Sequence, residues 1–465
     1  MSLGKRKREQ QGLWVATSDL PPSPGHPFYA RLNKLLDEAG FDDWAETRCA
    51  PYYAEGQGRP SIPPGVYFRM LLIGYFEGLD SQRGIAWRCH DSRSLQSFLG
   101  YALTEETPDH STLTVIRQRL PLEVHEDVFT FVLTIAAFRK LLKGKSVAVD
   151  STLIEADAAM KSIVRRDTGD DWKAYLRTLM AEEGLDDPTD EDLRKFDRKR
   201  ADKKVSNAEW MSPTDPDARI AKMKDGRTHL AYKTEHAVDL QSDLVLAAGV
   251  HPADAADTAT LGETLVQAQV QIMLAGSDAE IRDAVADKGY HSTDNLTQCE
   301  ARGVRTYIPE RETPKGRKWV DKPASHQRAV YNNRRRVRGV RGRRLGRLRS
   351  EYVERSFAHT CETGGARRSR LRGLEDVTKR YLICVAGRNL GVIMRALFGM
   401  GKPRTLQPAG GDSLALFWIR IRASIRLPGS FGDLLARRPQ ARAFSVLTTL
   451  ARPMDPVRRE TPVAA

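Results

Sequence analysis

The sequence predicts an α/β fold: a mixed sheet flanked by helices, preceded by an all-α region and interrupted by a charged helical insertion. Three observations lead there. From Pro27 to Gly144 the apolar residues recur at helical spacing, as in Phe28 to Leu36 and Val66 to Phe76. Beyond Lys145, short β-branched runs alternate with helical patterns, which is how a sheet with helical crossovers is written. Two of those runs, Ser146 to Ile154 and Arg282 to Tyr290, carry an Asp, at 150 and at 287.

The elements follow in order. Residues 1–26 are polar, rich in Pro and Gly, and read as a flexible tail. Residues 27–144 form the helical N-terminal domain, a candidate for DNA binding or dimerisation. Within it Pro108-Asp109 starts a helix whose Arg117 and Arg119 face is a candidate for phosphate contact, against the plainer alternative of a charged surface helix. Residues 145–400 read as one α/β domain. It opens with the Asp150 strand and is then interrupted at 157–226 by a stretch dense in charge and poor in apolar periodicity. Thr228 to Val238 alternates as a half-buried strand, with Leu230, Tyr232, Thr234, His236 and Val238 on one face, and pairs with Leu244 to Ala248 as a hairpin. Asp257 is placed to cap a helix bearing Leu261, Leu265, Ala268 and Ile272. The Asp287 strand, a helix over 294–302 and a short strand at 304–308 complete the sheet.

A basic loop is expected over 310–350. A helix with Glu354 follows, stopping near Thr363-Gly364-Gly365, and then a helix from Leu374 to Phe398 striped by Val377, Tyr381, Val385 and Leu390. Residues 401–465 read as a poorly patterned tail in which Leu414 to Ile419 forms at most a short element. Three strands, helix, strand, helix, strand, helix is the ribonuclease-H-like order: an antiparallel hairpin beside the first strand, then strands joined by helical crossovers.

Composition narrows the partner. The chain of 465 residues carries a net charge of +14 and a pI near 9.6, which favours a polyanion such as DNA. Residues 331–380 hold 16 Lys and Arg against 5 Asp and Glu, so most of the excess lies in one stretch beside Glu354. Five scattered cysteines without zinc-type spacing fit a reduced, cytoplasmic protein. The first eleven residues lack the apolar core of a secretory signal, and no run approaches the ~18 apolar residues of a membrane span.

A carboxylate inside an apolar strand is costly unless a cation answers it. Two strand-borne Asp and a helix-borne Glu, brought together, make a two-metal phosphoryl-transfer site, in which two Mg²⁺ (or Mn²⁺) ions about 3.5–4 Å apart stabilise the attacking and leaving oxygens. Asp150 would bridge both ions, with Asp287 on one and Glu354 on the other. Each has a plainer alternative: Asp150 as a cap, Asp287 as a turn residue before Lys288-Gly289, and Glu354 as a solvated helix residue competing with Glu351.

At these residues the chain resembles the bacterial insertion-sequence transposases of the DDE type, in the IS-five-like group with an InsH-type N-terminal domain. The stretches that carry the resemblance are Val149-Asp150-Ser151-Thr152, Asp215-Pro216-Asp217-Ala218-Arg219 with Tyr232-Lys233, Ala286-Asp287-Lys288-Gly289-Tyr290, Val353-Glu354-Arg355-Ser356-Phe357-Ala358 and Arg370 to Leu374. It spans about Phe28 to Gly401. It implies a ribonuclease-H-like catalytic domain and an acid triad of Asp150, Asp287 and Glu354 with divalent metal, and it favours Glu354 over Glu351. It also implies cutting and joining of double-stranded DNA at terminal inverted repeats and into target DNA, by a homodimer on paired ends in the bacterial cytoplasm at the nucleoid, with no membrane partner. The family signature has Tyr, Arg, Glu and Lys where this chain has Arg347, Ser350, Glu354 and Cys361. Arg349, Arg355, Arg367 or Arg368 is then expected to supply the missing positive charge. Arg334, Arg335, Arg336, Arg343 and Arg344 join them as the expected DNA-phosphate contacts. The competing functions are a ribonuclease-H-like nuclease without strand transfer and a non-catalytic DNA-binding descendant.

Overall fold

The apolar run around Asp150 becomes the central strand, β1 (Ser146–Glu155), of a mixed sheet. The computed structural model describes residues 25–404 except 55, 57, 59, 186, 201–204 and 313–318. Of the expected tails at 1–26 and 401–465, residues 1–24 and 405–465, with the Leu414–Ile419 segment, lie outside the described residues. In the charged insertion the chain forms the small ribbon of β2 (Val164–Arg165) and β3 (Trp210–Met211) and the helices α8 (Trp172–Glu182) and α9 (Asp190–Lys199). The insertion also contributes β4 (Arg219–Lys222), which joins the main sheet.

β5 (Thr228–Asp239) runs antiparallel to β1, and its far edge is shared by β4 and β6 (Val245–Pro252). On the other side of β1 lie β7 (Asp283–Val285) and β8 (Arg305–Tyr307), both parallel. Antiparallel hairpin, central strand and two parallel crossover strands make the ribonuclease-H-like sheet expected from the element order. β5 differs from the half-buried strand expected: it is buried on both faces from Ala231 onward. The side bearing Lys233 and Glu235 is covered by α10 (Asp257–Leu274), whose Thr260 and Thr264 hydroxyls donate to the Glu235 carboxylate.

α11 (Thr293–Ala301) crosses from β7 to β8. Much of the stretch expected as a basic loop is instead helical: α12 (Ala324–Arg338) and the first part of α13 (Val340–Phe357), which continues into the helix expected around Glu354. Only a few apolar residues bury a face of them: Ala329 and Val330, then Leu345, Val353 and Phe357. α13 passes into a π-helical turn over Ala358–Thr363 and ends at Gly364, where the glycine pair was expected to stop it.

The N-terminal region folds as α1 (Pro27–Glu38), α2 (Phe41–Cys49), α3 (Pro64–Glu77), α4 (Gln82–His90), α5 (Arg93–Phe98), α6 (His110–Arg119) and α7 (Leu122–Phe138). Inside it Arg69, almost fully buried on α3, donates to Asp42, Asp37 and Asn33, tying α1 and α2 to α3. These helices are not packed as a separate unit. α14 (Leu374–Phe398) lies between α3, α7 and the sheet, and one continuous core runs from Phe28 to Met394. All four residues of its expected stripe are buried. By length and composition α14 is apolar enough to cross a membrane, which was not expected; 72% of its apolar window is buried, as in a core helix.

The Asp215 to Arg219 motif anchors this helix. Asp215 accepts from Tyr232 Oη at 2.6 Å and from the Gly373 amide at 3.1 Å, and Asp217 accepts from the Leu374 amide at 2.9 Å. Two carboxylates from the insertion therefore sit at the N-terminus of α14, where amide donors lack helical partners.

Candidate active site

β1 and β7 bring the two strand aspartates side by side. They pair in parallel up to Ala148 and Val285, and Asp150 and Asp287 each lie two residues further on, hence on the same face. Burial pushes the Asp150 carboxyl above its usual range. The Arg349 guanidinium pulls it back, while the charges of Asp287 and Asp257 push it up further. Asp150 Oδ2 accepts from Arg349 Nη1 at 2.5 Å, and its Oδ1 accepts from the Ser151 amide at 2.9 Å.

Asp287 Oδ1 accepts from the Gly289 amide at 2.7 Å, so it does shape the turn that follows β7. That turn is tight because of a third acid. A Cβ on Gly289 would lie 2.6 Å from Asp257 Oδ2 and 2.8 Å from Asp287 Oδ1. A side chain at 289 would push one or both carboxylates aside.

Asp257 is not the side-chain cap expected for α10; Ala256 holds the cap position and no side-chain cap bond forms. Its carboxylate instead accepts from Lys233 Nζ at 2.7 Å and from Ser151 Oγ at 3.1 Å. Lys233 also reaches the Ala255 carbonyl and Thr260 Oγ1, and lies 3.8 Å from the fully buried Glu235, which accepts from Tyr290 Oη at 2.6 Å. A buried polar network thus joins β1, β5, α10 and the Asp287 turn directly beneath the acids. Lys233 had been noted only as part of a motif; its partner stands 24 residues away on another element, beyond any local sequence signal.

Glu354 does not join this group. It is exposed on α13, five residues beyond Arg349 and thus about 7.5 Å further along the axis. Among the described residues, no three His, Cys, Asp or Glu side chains converge as a group able to hold a metal ion. α13 is nonetheless held firmly against the sheet. His236, opposite Asp150 across β1 and β5, contacts Ser356 Oγ at 2.9 Å and Tyr381 Oη at 2.8 Å and stacks on Phe357. Ser356 donates its hydroxyl to the Val353 carbonyl, so it accepts from His236 Nδ1, which leaves Nε2 to accept from Tyr381.

The arginines have diverse surroundings. Of the four expected sources of the missing charge, Arg349 touches Asp150. Arg355 pairs with Glu351 and Asp243, Arg367 with Glu362, and Arg368 with Glu155. Cys361, at the signature's lysine position, is buried in the π-helical turn, and burial pushes its thiol up to about 12. Arg334 pairs with Glu310 and Arg335 bonds Asn332, whereas Arg336 is partly buried and donates to the Thr306 carbonyl. Arg343 and Arg344 stand exposed on α13. Of the two arginines expected on this face of α6, Arg119 is exposed and Arg117 is not. Arg117 is buried, donating to Asp376 on α14, and Arg119 lies over the Tyr53 ring.

A ribonuclease-H-like sheet with one acid on its central strand and a second just past the neighbouring parallel strand is the framework of the DDE class of proteins. Comparison with known families agrees: residues 142–390 match the model of the Transposase DDE domain, and residues 16–119 match a Transposase domain (DUF772). The first match covers more than half of the chain, which therefore belongs to the DDE transposase family. No curated protein and no solved structure matches it significantly.

Proposed function

We propose that this transposase cuts DNA at the ends of an insertion sequence and joins them to a target by two-metal phosphoryl transfer, with Asp150, Asp287 and Glu354 as its acids. One observation carries this: Asp150 and Asp287 lie abreast, half-buried, beneath a helix rich in arginine. The donors suit a hard divalent ion. They are carboxylate oxygens, and that of Asp150 already has a cation against it. Asp150 and Asp287 would hold Mg²⁺ or Mn²⁺. Glu354, exposed on α13 and so unhindered in its rotamer, is the third acid. Bound metal supplies positive charge to the oxygens of the phosphodiester under attack. Around it the chain's own groups act by position. The Lys233–Asp257 pair and Gly289 fix the Asp287 turn, and Arg349 answers the charge of Asp150 until substrate and metal arrive. Terminal inverted repeats as cognate DNA, a homodimer on paired ends, and a cytoplasmic location at the nucleoid belong to the same proposal.

Asp150→Asn tests it. Mg²⁺-dependent cleavage of cognate ends should disappear while duplex binding is kept, and a variant that still cuts normally refutes the assignment. A nuclease without strand transfer would cut and leave no joined product. A non-catalytic descendant would bind and do neither.

A further inference from the structure

A cavity of about 400 Å³ lies where α3, α4 and α6 meet α14 and the segment before it. Two helices begin at its wall. α4 starts with Gln82 and Arg83, capped by Ser81, and α6 starts with His110, capped by Asp109. Thr114 Oγ1 donates to Gln82 Oε1 at 2.7 Å and holds the two together. Helix N-termini present unpaired amides and the positive end of the helix dipole.

The side chains add charge of the same sign. Four arginines (83, 117, 370 and 380) line the cavity, against one acid, Asp80, which pairs with Arg370. Arg380 donates to the neutral carbonyls of Leu71 and Leu79. Arg117 is 8% exposed; its Nε is matched by Asp376, but its Nη1 is buried with no hydrogen-bond partner. A buried cationic donor left unsatisfied is costly, and an anion in the cavity would remove that cost.

We propose that this cavity binds a phosphate group, namely a backbone phosphate of bound DNA; the DNA source rests on the transposase reading above. The chain between active strand and cavity favours DNA over a free ion. Arg368, Arg370 and Arg372 are exposed at alternate positions along it, and Arg368 sits beside Glu155 at the end of β1. From Asp150 to Glu155 is about 17 Å of strand, so the arginine row leads from the acids to the cavity along one side of the molecule.

The test uses the full chain with Arg83→Glu and Arg83→Lys, since Arg83 is exposed and its replacement should leave the fold intact. Duplex affinity is measured by fluorescence anisotropy across a NaCl series. Melting temperature is measured with and without inorganic phosphate. The glutamate variant should bind duplex roughly five- to tenfold more weakly at 0.1 M salt, with the salt slope reduced by about one, and the lysine variant should stay near wild type. Unchanged affinity and slope in Arg83→Glu overturn the DNA assignment. If phosphate then still raises the melting temperature of wild type and not of the variant, the cavity takes a free anion; if it does not, the anion site itself falls. Wild-type chain that binds no duplex at all would fail the transposase reading instead, and the phosphate shift alone would judge the cavity.

Discussion

Arg349 Nη1 lies 2.5 Å from Asp150 Oδ2, so a cation from α13 meets the central acid of β1. Both side chains are largely withdrawn from solvent, which strengthens the contact. The signature this chain resembles places its arginine one residue later, where this chain has Ser350. Because adjacent helix positions point about 100° apart, that exchange redirects the charge onto Asp150.

Arg349→Met therefore has a predictable pH signature. The guanidinium, more than the Ser151 amide, opposes the upward push of burial on the Asp150 carboxyl. Without it the carboxyl binds its proton more tightly and stays protonated to higher pH. The acid limb of the end-cleavage profile should move upward, and raised Mg²⁺ should partly restore the rate by competing with the proton. A limb that stays in place would mean that Arg349 does not govern the charge of Asp150.

Gly289→Ala should damage catalysis more than folding. The added methyl would sit against oxygens of both Asp257 and Asp287, closer than van der Waals contact allows. Overpacking of this kind costs about 1–3 kcal/mol, and the carboxylates are the groups able to move. A rate loss of roughly tenfold or more is expected, since about 1.4 kcal/mol in the barrier is a factor of ten. Single-turnover cleavage at saturating DNA measures it, with duplex affinity as the control. Asp257→Asn should act in the same direction, because Lys233 would lose its closest anionic partner. Normal cleavage in both variants would remove Asp257 and the turn from the catalytic design.

What was legible in the chain follows from the cost of burying charge. Asp150 and Asp287 stand out because each interrupts an apolar, β-branched run, and the strand order then puts them abreast. α12 and the first part of α13, up to about residue 350, were not legible as helix, whereas the stretch around Glu354 was. Their periodicity is carried by a few apolar residues such as Val330 and Leu345 among arginines, and isolated burial of that kind does not rise above a charged loop. Asp257 was misread because a carboxylate at a helix start has a ready local role as a cap. Its real partners, Lys233 and Ser151, come from two strands distant in sequence. The packing of α14 against both the N-terminal helices and the sheet is likewise tertiary, with no local pattern to announce it.

Stability should fall on mild acidification through two buried histidines. His236 is held well below its ordinary proton affinity by burial first and then by the charge of Arg388. Burial likewise pushes His125 down to about 4. In the unfolded chain both take up a proton near pH 6.5, whereas the native state resists it. The unfolded state therefore binds more protons below that pH, and stability is lost as pH falls from about 6.5 towards 4, with a limiting slope of about 1.4 kcal/mol per pH unit for each histidine. Urea unfolding at pH 7, 6 and 5 measures this. His125→Gln should flatten the slope; an unchanged slope in that variant would place the acid sensitivity elsewhere.

The arginines of α12 and α13 should separate into two groups that composition alone cannot distinguish. Arg343 and Arg344 are exposed, and replacing both with Gln should change stability by no more than about 0.5 kcal/mol. If each meets a phosphate, the slope of log affinity against log salt should fall by about 1.8, from about 0.9 per contact. Arg336 is the opposite case. It is partly buried, burial pushes its proton affinity down, and it donates to the Thr306 carbonyl and hydroxyl on β8. Arg336→Gln should lower the melting temperature, because the Thr306 groups lose a charged donor in a partly buried site, and should leave the salt slope nearly unchanged. Anisotropy titrations over 50–200 mM NaCl, paired with thermal melts of the same variants, give both quantities. If Arg343 and Arg344 leave the slope untouched while Arg336 alters it, the DNA does not lie along the exposed face of α13.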